Sequence, residues 1–174
     1  MWFKFTLFLL VDGVLSARQS RFVNVECKML DPSYATYKKC NLKILGRGVV
    51  ALNVHAVLQK GPFNNAKVNV CLFRKFNGYR PFMFNTTVDY CKLMADRRKQ
   101  LSFPKIVRDS LANCSNLNHT CPYEHDIIVD NMVFDETFFK YLPLPTGDYK
   151  IQIMAATDNE WKTIINIYIQ WVFD

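Results

Sequence analysis

The sequence predicts an all-β protein, an antiparallel β-sandwich of about eight strands with one short helical insertion. Most of the chain alternates between apolar and polar residues with the period of two that is typical of half-buried strands. Clusters of Gly, Pro, Asn and Asp separate these runs. Strands of a parallel sheet would be apolar on both faces, so the alternation favours antiparallel sheets. No internal repeat or flexible linker interrupts the 174 residues, which predicts a single domain over residues 18–174.

Each strand follows from its own alternating run. The predicted strands are 21–30, 37–45, 49–58, 66–74, 81–89, 126–133, 149–155 and 161–173. In the third strand Asn53 and His55 lie opposite the apolar face, which predicts a solvent-facing histidine. In the last strand Trp161 shares the inward face with the isoleucines that follow, and Lys162 lies opposite. Asn77-Gly78 predicts a tight hairpin between the fourth and fifth strands.

One segment has helical spacing instead. From Ser102 onward, apolar residues recur at Phe103, Ile106, Val107 and Leu111. Ser102 suits an N-cap, and Pro104 falls in the first turn, where proline is tolerated. A further short helical stretch is predicted over 90–98.

The first 17 residues have the layout of a secretory signal peptide. Lys4 precedes an apolar run over 5–11, and Ser16-Ala17 supplies the small residues of a cleavage site. The run is too short to cross a bilayer core of ~30 Å, and Asp12 interrupts it. We therefore expect a signal peptide at 1–17 and a secreted, extracellular product.

Six cysteines in an oxidising compartment imply disulfides, and six allow 15 pairings. A turn centred on 31–36 would place Cys27 opposite Cys40. Both also share the side-chain parity of apolar neighbours, namely Val23, Val25, Leu42 and Ile44. We expect these two cysteines to pair.

Three N-glycosylation sequons begin at Asn85, Asn113 and Asn118 and agree with secretion. Asn85 has outward parity on its strand, so a glycan there would not disturb the core.

The net charge of +7 is unevenly distributed. Residues 18–108 contain 18 basic and 4 acidic residues, whereas 109–174 contain 3 basic and 10 acidic ones. In a secreted protein such a basic half indicates an anionic partner, a membrane surface or a solvated face, rather than nucleic acid. The densest basic cluster is Arg97-Arg98-Lys99, with Lys105 and Arg108 close by.

Several motifs, taken in order, resemble a large insect family of secreted proteins. The resemblance is carried by residues 77–91, 115–123 and 144–149, together with Phe22–Cys27 and Cys40. That family is similar to the ML lipid-recognition domains, and some insect members are associated with chemosensory organs. The resemblance implies an Ig-like β-sandwich whose two sheets can separate to hold a lipid.

The resemblance also bears on the cysteines. It implies four recurring ones, Cys27, Cys40, Cys91 and Cys121, and it favours a Cys91–Cys121 bond. That pair brackets the helical insertion, which agrees with such a bond. Cys71 and Cys114 would be additional. Their mutual pairing is predicted only weakly, because Cys71 has outward parity and could instead be a free thiol or a link to a partner.

The sequence indicates neither an enzyme nor a cofactor. It contains no nucleophile elbow, no zinc-protease motif and no phosphate-binding glycine loop. The segment with Cys114, His119, Cys121 and His125 superficially imitates a zinc site, but its spacing matches no common module. We expect no metal.

The functional hypothesis is therefore a small hydrophobic ligand, such as a lipid, sterol or hydrocarbon semiochemical, held between the sheets. A receptor or membrane surface is a further possible partner. The alternative is a secreted interaction module whose core is filled. The candidate cavity walls are the inward residues of the strands: Val50, Leu52, Val54, Val68, Val70, Leu72, Phe82, Phe84, Ile151, Ile153, Ile165, Ile167 and Ile169.

Overall fold

The fold is a sandwich of two antiparallel sheets, as the alternation predicts. A computed structural model describes residues 20–96, 108–134 and 144–172. The predicted signal peptide lies outside these described residues. The strands are β1 (Arg21–Met29), β2 (Ala35–Gly46), β3 (Val49–Leu58), β4 (Lys67–Phe76), β5 (Gly78–Asp89), β6 (Ile127–Val133), β7 (Gly147–Thr157) and β8 (Glu160–Trp171).

The two sheets differ in size. The larger has the strand order β1-β8-β7-β4-β5, and the smaller has the order β2-β3-β6. Their inner faces carry the core, in which Leu52, Leu72 and Ile169 are almost fully buried. Within the described ranges, no helix is long and apolar enough to cross a membrane.

The predicted hairpin joins β4 and β5. Phe76 pairs with Gly78, so Asn77 alone forms the reversal. Gly78 has a φ of 128°, a conformation that favours glycine over residues with a Cβ atom. The Asn77-Gly78 prediction is confirmed.

The start of β8 corrects one face assignment. The pairing of β7 with β8 shifts by one residue between Ala155 and Ala156. On the N-terminal side of such a β-bulge, each side chain of the strand points to the face opposite to the one that continued alternation predicts. Trp161 is therefore 40% exposed, and Lys162 is 9% exposed, which reverses the prediction for both residues.

The predicted helical stretch after β5 is confirmed as α1 (Tyr90–Ala95), which ends before the predicted bound at 98 because Asp96 is extended. The Asp89 carboxylate caps it by accepting a hydrogen bond from the Lys92 backbone N–H at 3.0 Å. Residues 108–111 are also helical. The predicted start of that second helix at Ser102 lies outside the described residues.

The Cys27–Cys40 bond is confirmed, with a Cα–Cα distance of 6.2 Å. Its surroundings differ from the expected hairpin, because β1 pairs with β8 and β2 pairs with β3. The disulfide thus ties an edge strand of one sheet to an edge strand of the other. The expected shared apolar parity also fails in part: Val23 lies at a bulge in β1 and is 45% exposed, and Ile44 near the end of β2 is 76% exposed.

The Cys91–Cys121 bond is confirmed as well, with a Cα–Cα distance of 5.5 Å. It joins α1 to the segment that leads into β6. Both disulfides are consistent with an extracellular protein.

The weakly predicted Cys71–Cys114 bond does not form, and both thiols are free. Val68 and Val70 of β4 face the core. Because side chains alternate along a strand, Cys71, which follows Val70, lies on the outer face of the large sheet. Cys114 packs against the core on the inner side. Cys71 is also buried beneath its neighbours, at 3% exposed, which makes it a poor link to a partner.

A thiol titration tests this assignment. Denatured, unreduced protein should show two thiols per chain with Ellman's reagent. In the native protein both should react slowly, because burial raises the pKa of each thiol and leaves little thiolate. A titre of zero after denaturation would mean that Cys71 and Cys114 pair after all.

Candidate functional site

An apolar cavity of about 330 Å³ lies between the two sheets. Its walls are mainly aliphatic and aromatic side chains from both inner faces. Nine of the thirteen sequence-predicted wall residues line it: Leu52, Val54, Val68, Val70, Ile151, Ile153, Ile165, Ile167 and Ile169.

The other four predicted wall residues lie beside the cavity. Leu72 is completely buried within the core cluster, and Val50, Phe82 and Phe84 are partly buried and pack against that cluster. Near Phe82 the pairing of β4 with β5 is irregular, and Met83 adopts a φ of 62°. Alternation therefore identifies the inner face correctly but not which inward residues border open space.

The cavity lies where the sheets are held at two opposite sides rather than packed throughout. On one side β1 contacts β2 and β3, and Cys27–Cys40 joins that edge. On the other side α1 contacts β4 and β5 of the larger sheet, Ser115 bridges to Val129 of the smaller sheet, and Cys91–Cys121 ties α1 to the segment before β6. This arrangement leaves room between the strands in the middle.

The insertion supplies wall residues that strand alternation could not identify. Tyr90 and Leu93 of α1 line the cavity, as do Leu111 and Leu117. Leu111 belongs to the apolar stripe at helical spacing that begins at Phe103, so the sequence held a signal for it. Tyr90 donates a hydrogen bond to the Leu117 carbonyl at 3.2 Å, and burial raises its pKa.

An aromatic cluster lies at one end of the cavity. Phe22 meets Phe134 edge-on at 5.5 Å, and Phe134 meets Trp171 at 6.1 Å between ring centres. The Trp171 indole N–H donates to the Leu144 carbonyl at 3.0 Å, which satisfies its polar atom. At this end the cavity lining includes the apolar side chains of Phe22 and Phe134.

The opposite end is polar and is organised around Lys162. Its ammonium group lies 2.9 Å from the Asp31 carboxylate and 2.7 Å from the Glu160 carboxylate. Hydrogen bonds from Ser33 and Lys162 lower the pKa of Asp31 to about 2, and the two carboxylates raise the pKa of Lys162. The Lys162 ammonium also lies 5.3 Å from the centre of the Tyr34 ring.

Residues with hydroxyl groups also line this end of the cavity, among them Tyr34, Tyr37, Thr157 and Thr163. The Tyr37 and Thr163 hydroxyls bond each other, and burial raises the pKa of Tyr37. Sequence reasoning missed Lys162 as a residue of this end, because the bulge before Thr163 turns its side chain inward and alternation does not reveal a bulge.

Of the predicted basic cluster, Arg108 alone falls among the described residues. It lines the cavity and pairs with Asp109 at 2.7 Å. Arg97, Arg98, Lys99 and Lys105 lie outside the described ranges.

The cysteine and histidine segment forms no metal centre in the part of the chain that the structure describes. Cys121 is engaged in its disulfide, and His119 contacts His125 with 2.8 Å between their Nε2 atoms. His55 is half-buried rather than solvent-facing, because its ring bonds the Asp126 carboxylate at 2.8 Å. Asn53, on the same face, is completely buried.

All three sequon asparagines, Asn85, Asn113 and Asn118, are exposed. On the outer face of β5 the Asn85 amide oxygen accepts a hydrogen bond from Asn69 at 2.8 Å. A glycan on Asn85 would project away from the cavity.

Residues 68–151 match the model of a family described as "Protein of unknown function (DUF1091)". The matched stretch runs from β4 through α1 and the insertion into β7, so it contains Cys91 and Cys121. No curated protein matches the chain. The similarity therefore covers much of the cavity wall without supplying an activity.

Proposed function

We propose that this protein is an extracellular carrier or presenter of a small hydrophobic ligand, which binds between its two sheets. The observation that carries the proposal is the apolar cavity of about 330 Å³. Side chains of sandwich sheets normally interdigitate and leave few voids larger than a water molecule. A cavity of this size costs stability unless something occupies it.

The size of the cavity limits the ligand. An apolar cavity of roughly 150 Å³ is large enough to bind benzene. A cavity of about 330 Å³ accommodates on the order of a dozen carbon atoms by the same measure. A single medium-length chain or a small terpenoid fits this volume.

Secretion and the resemblance to the ML lipid-recognition domains add support. The predicted signal peptide and the three exposed sequons suit an extracellular carrier, as do the two disulfides. A chemosensory setting, in which the ligand is a hydrocarbon semiochemical, follows from the resemblance. The alternative, an interaction module with a filled core, is less consistent with the open space between the sheets.

Native mass spectrometry of the secreted protein tests the proposal. We expect one small apolar molecule to co-purify per chain and to dissociate on denaturation. The delipidated protein should bind one equivalent of the fluorescent apolar probe N-phenyl-1-naphthylamine, and the co-purified molecule should displace it. Protein that carries no molecule and binds no probe would refute the carrier and favour the surface-interaction alternative.

A further inference from the structure

Two buried hydroxyl groups at the polar end of the cavity have no hydrogen-bond partner among the described residues. They belong to Tyr34 and Thr157. Both residues line the cavity, and Thr157 is only 6% exposed. Thr157 has the same parity on β7 as Ile151, Ile153 and Ala155, so its side chain points inward.

Unpartnered buried hydroxyls are uncommon in folded proteins. The great majority of buried side-chain polar atoms have at least one hydrogen-bond partner. A buried polar atom without one has lost its hydrogen bonds to water, and no new bond compensates for that cost. The neighbouring Tyr37 and Thr163 hydroxyls follow that rule by bonding each other. The Tyr34 and Thr157 hydroxyls therefore lack a partner that the described part of the chain could supply.

The local charge restricts that partner. A hydroxyl group can donate or accept, so the two groups would suit a ligand oxygen of either kind. Lys162 is already paired with Asp31 and with Glu160. Arg108, which also lines the cavity, is paired with Asp109. A ligand carboxylate would therefore meet only lysine and arginine side chains that already have acidic partners among the described residues, which leaves a neutral oxygen as the better complement.

We propose that the ligand is an amphipathic molecule with a neutral oxygen-bearing head, an alcohol or a carbonyl, that hydrogen-bonds Thr157 and Tyr34. Its apolar tail extends toward Phe22 and Phe134 at the other end of the cavity. This inference rests on the proposed function and narrows it, because it disfavours both plain hydrocarbons and fatty acids.

Three compounds with the same chain length test the head group. Delipidated protein is titrated with dodecan-1-ol, dodecane and dodecanoate, each in competition with N-phenyl-1-naphthylamine. We expect dodecan-1-ol to bind at least tenfold more tightly than either of the others, because one hydrogen bond corresponds to about tenfold and the head group makes two. Equal affinity for all three would overturn the inference but leave the carrier intact. If no compound and no probe binds, the proposed function and this inference fail together.

Two conservative variants locate the contact. Thr157→Val and Tyr34→Phe should each weaken dodecan-1-ol binding by about tenfold and leave dodecane binding unchanged. Thr157→Val should also raise the melting temperature of the delipidated protein, because it removes an unpaired buried hydroxyl. Thr36→Val, at an exposed position of β2, is the matched control and should change neither. Unaltered dodecan-1-ol binding in both cavity variants would contradict the assignment.

Discussion

Replacing Cys91 and Cys121 together with alanine is expected to lower the free energy of unfolding by about 3.6 kcal/mol. The bond closes a loop of 30 residues, and its loss releases that constraint on the unfolded chain. The same bond holds α1 against the segment that completes the cavity wall. The double variant should therefore also bind N-phenyl-1-naphthylamine more weakly. Urea denaturation and probe titration measure the two effects.

The Cys27–Cys40 bond provides the comparison. It closes a shorter loop of 13 residues, so its removal should cost about 2.9 kcal/mol by the same relation. Cys114→Ala, which removes a free and partly buried thiol, is the control for the loss of a side chain alone. If removing Cys91–Cys121 costs no more than Cys114→Ala does, the bond does not constrain the chain as proposed.

The strands could be predicted because their signal is local. From Ile165 to the end of β8 the apolar inward residues occupy every second position, and burial of one face fixes that alternation. The prediction failed at Trp161 and Lys162, where one shifted residue reverses the faces. A bulge depends on the neighbouring strand, so alternation along a single strand cannot reveal it.

The cysteines show the same division between local and long-range information. Cys27 and Cys40 are brought together by a short connection, and a turn argument is sufficient to pair them even though their strands enter different sheets. Pairing Cys71 with Cys114 required knowledge of which side of the large sheet each thiol occupies. That depends on the order of the sheet and on the position of the insertion, which the sequence does not display.

The cavity could be predicted only in part for a related reason. Inward parity identifies Val70 and Leu72 equally, yet Val70 borders the cavity and Leu72 lies within packed core. The separation of the sheets decides between these outcomes. That separation depends on how the insertion and the two disulfides hold the edges, and the polar end depends on a bulge.

Filling the cavity should abolish ligand binding while leaving the fold nearly as stable as before. Val70→Phe and Ala155→Leu each add a larger apolar side chain to the lining. In a close-packed interior an added group costs ~1–3 kcal/mol, because neighbours must shift. Here the new atoms enter open space, and we expect a change in the free energy of unfolding below about 0.5 kcal/mol. Binding of N-phenyl-1-naphthylamine should fall at least tenfold.

Matched controls separate filling from a general effect of larger side chains. Val23→Phe, at a 45% exposed position of β1, is the control for Val70→Phe. Ala95→Leu, at an exposed position of α1, is the control for Ala155→Leu. Both controls should retain probe binding and stability. If the two cavity variants instead melt far below their controls, the interior is close-packed in solution. If they also bind the probe as tightly as wild type, the ligand does not occupy the space between the sheets. A packed core cannot produce the combination of unchanged stability and lost binding, because it has no open space for a ligand to occupy or for a larger side chain to fill.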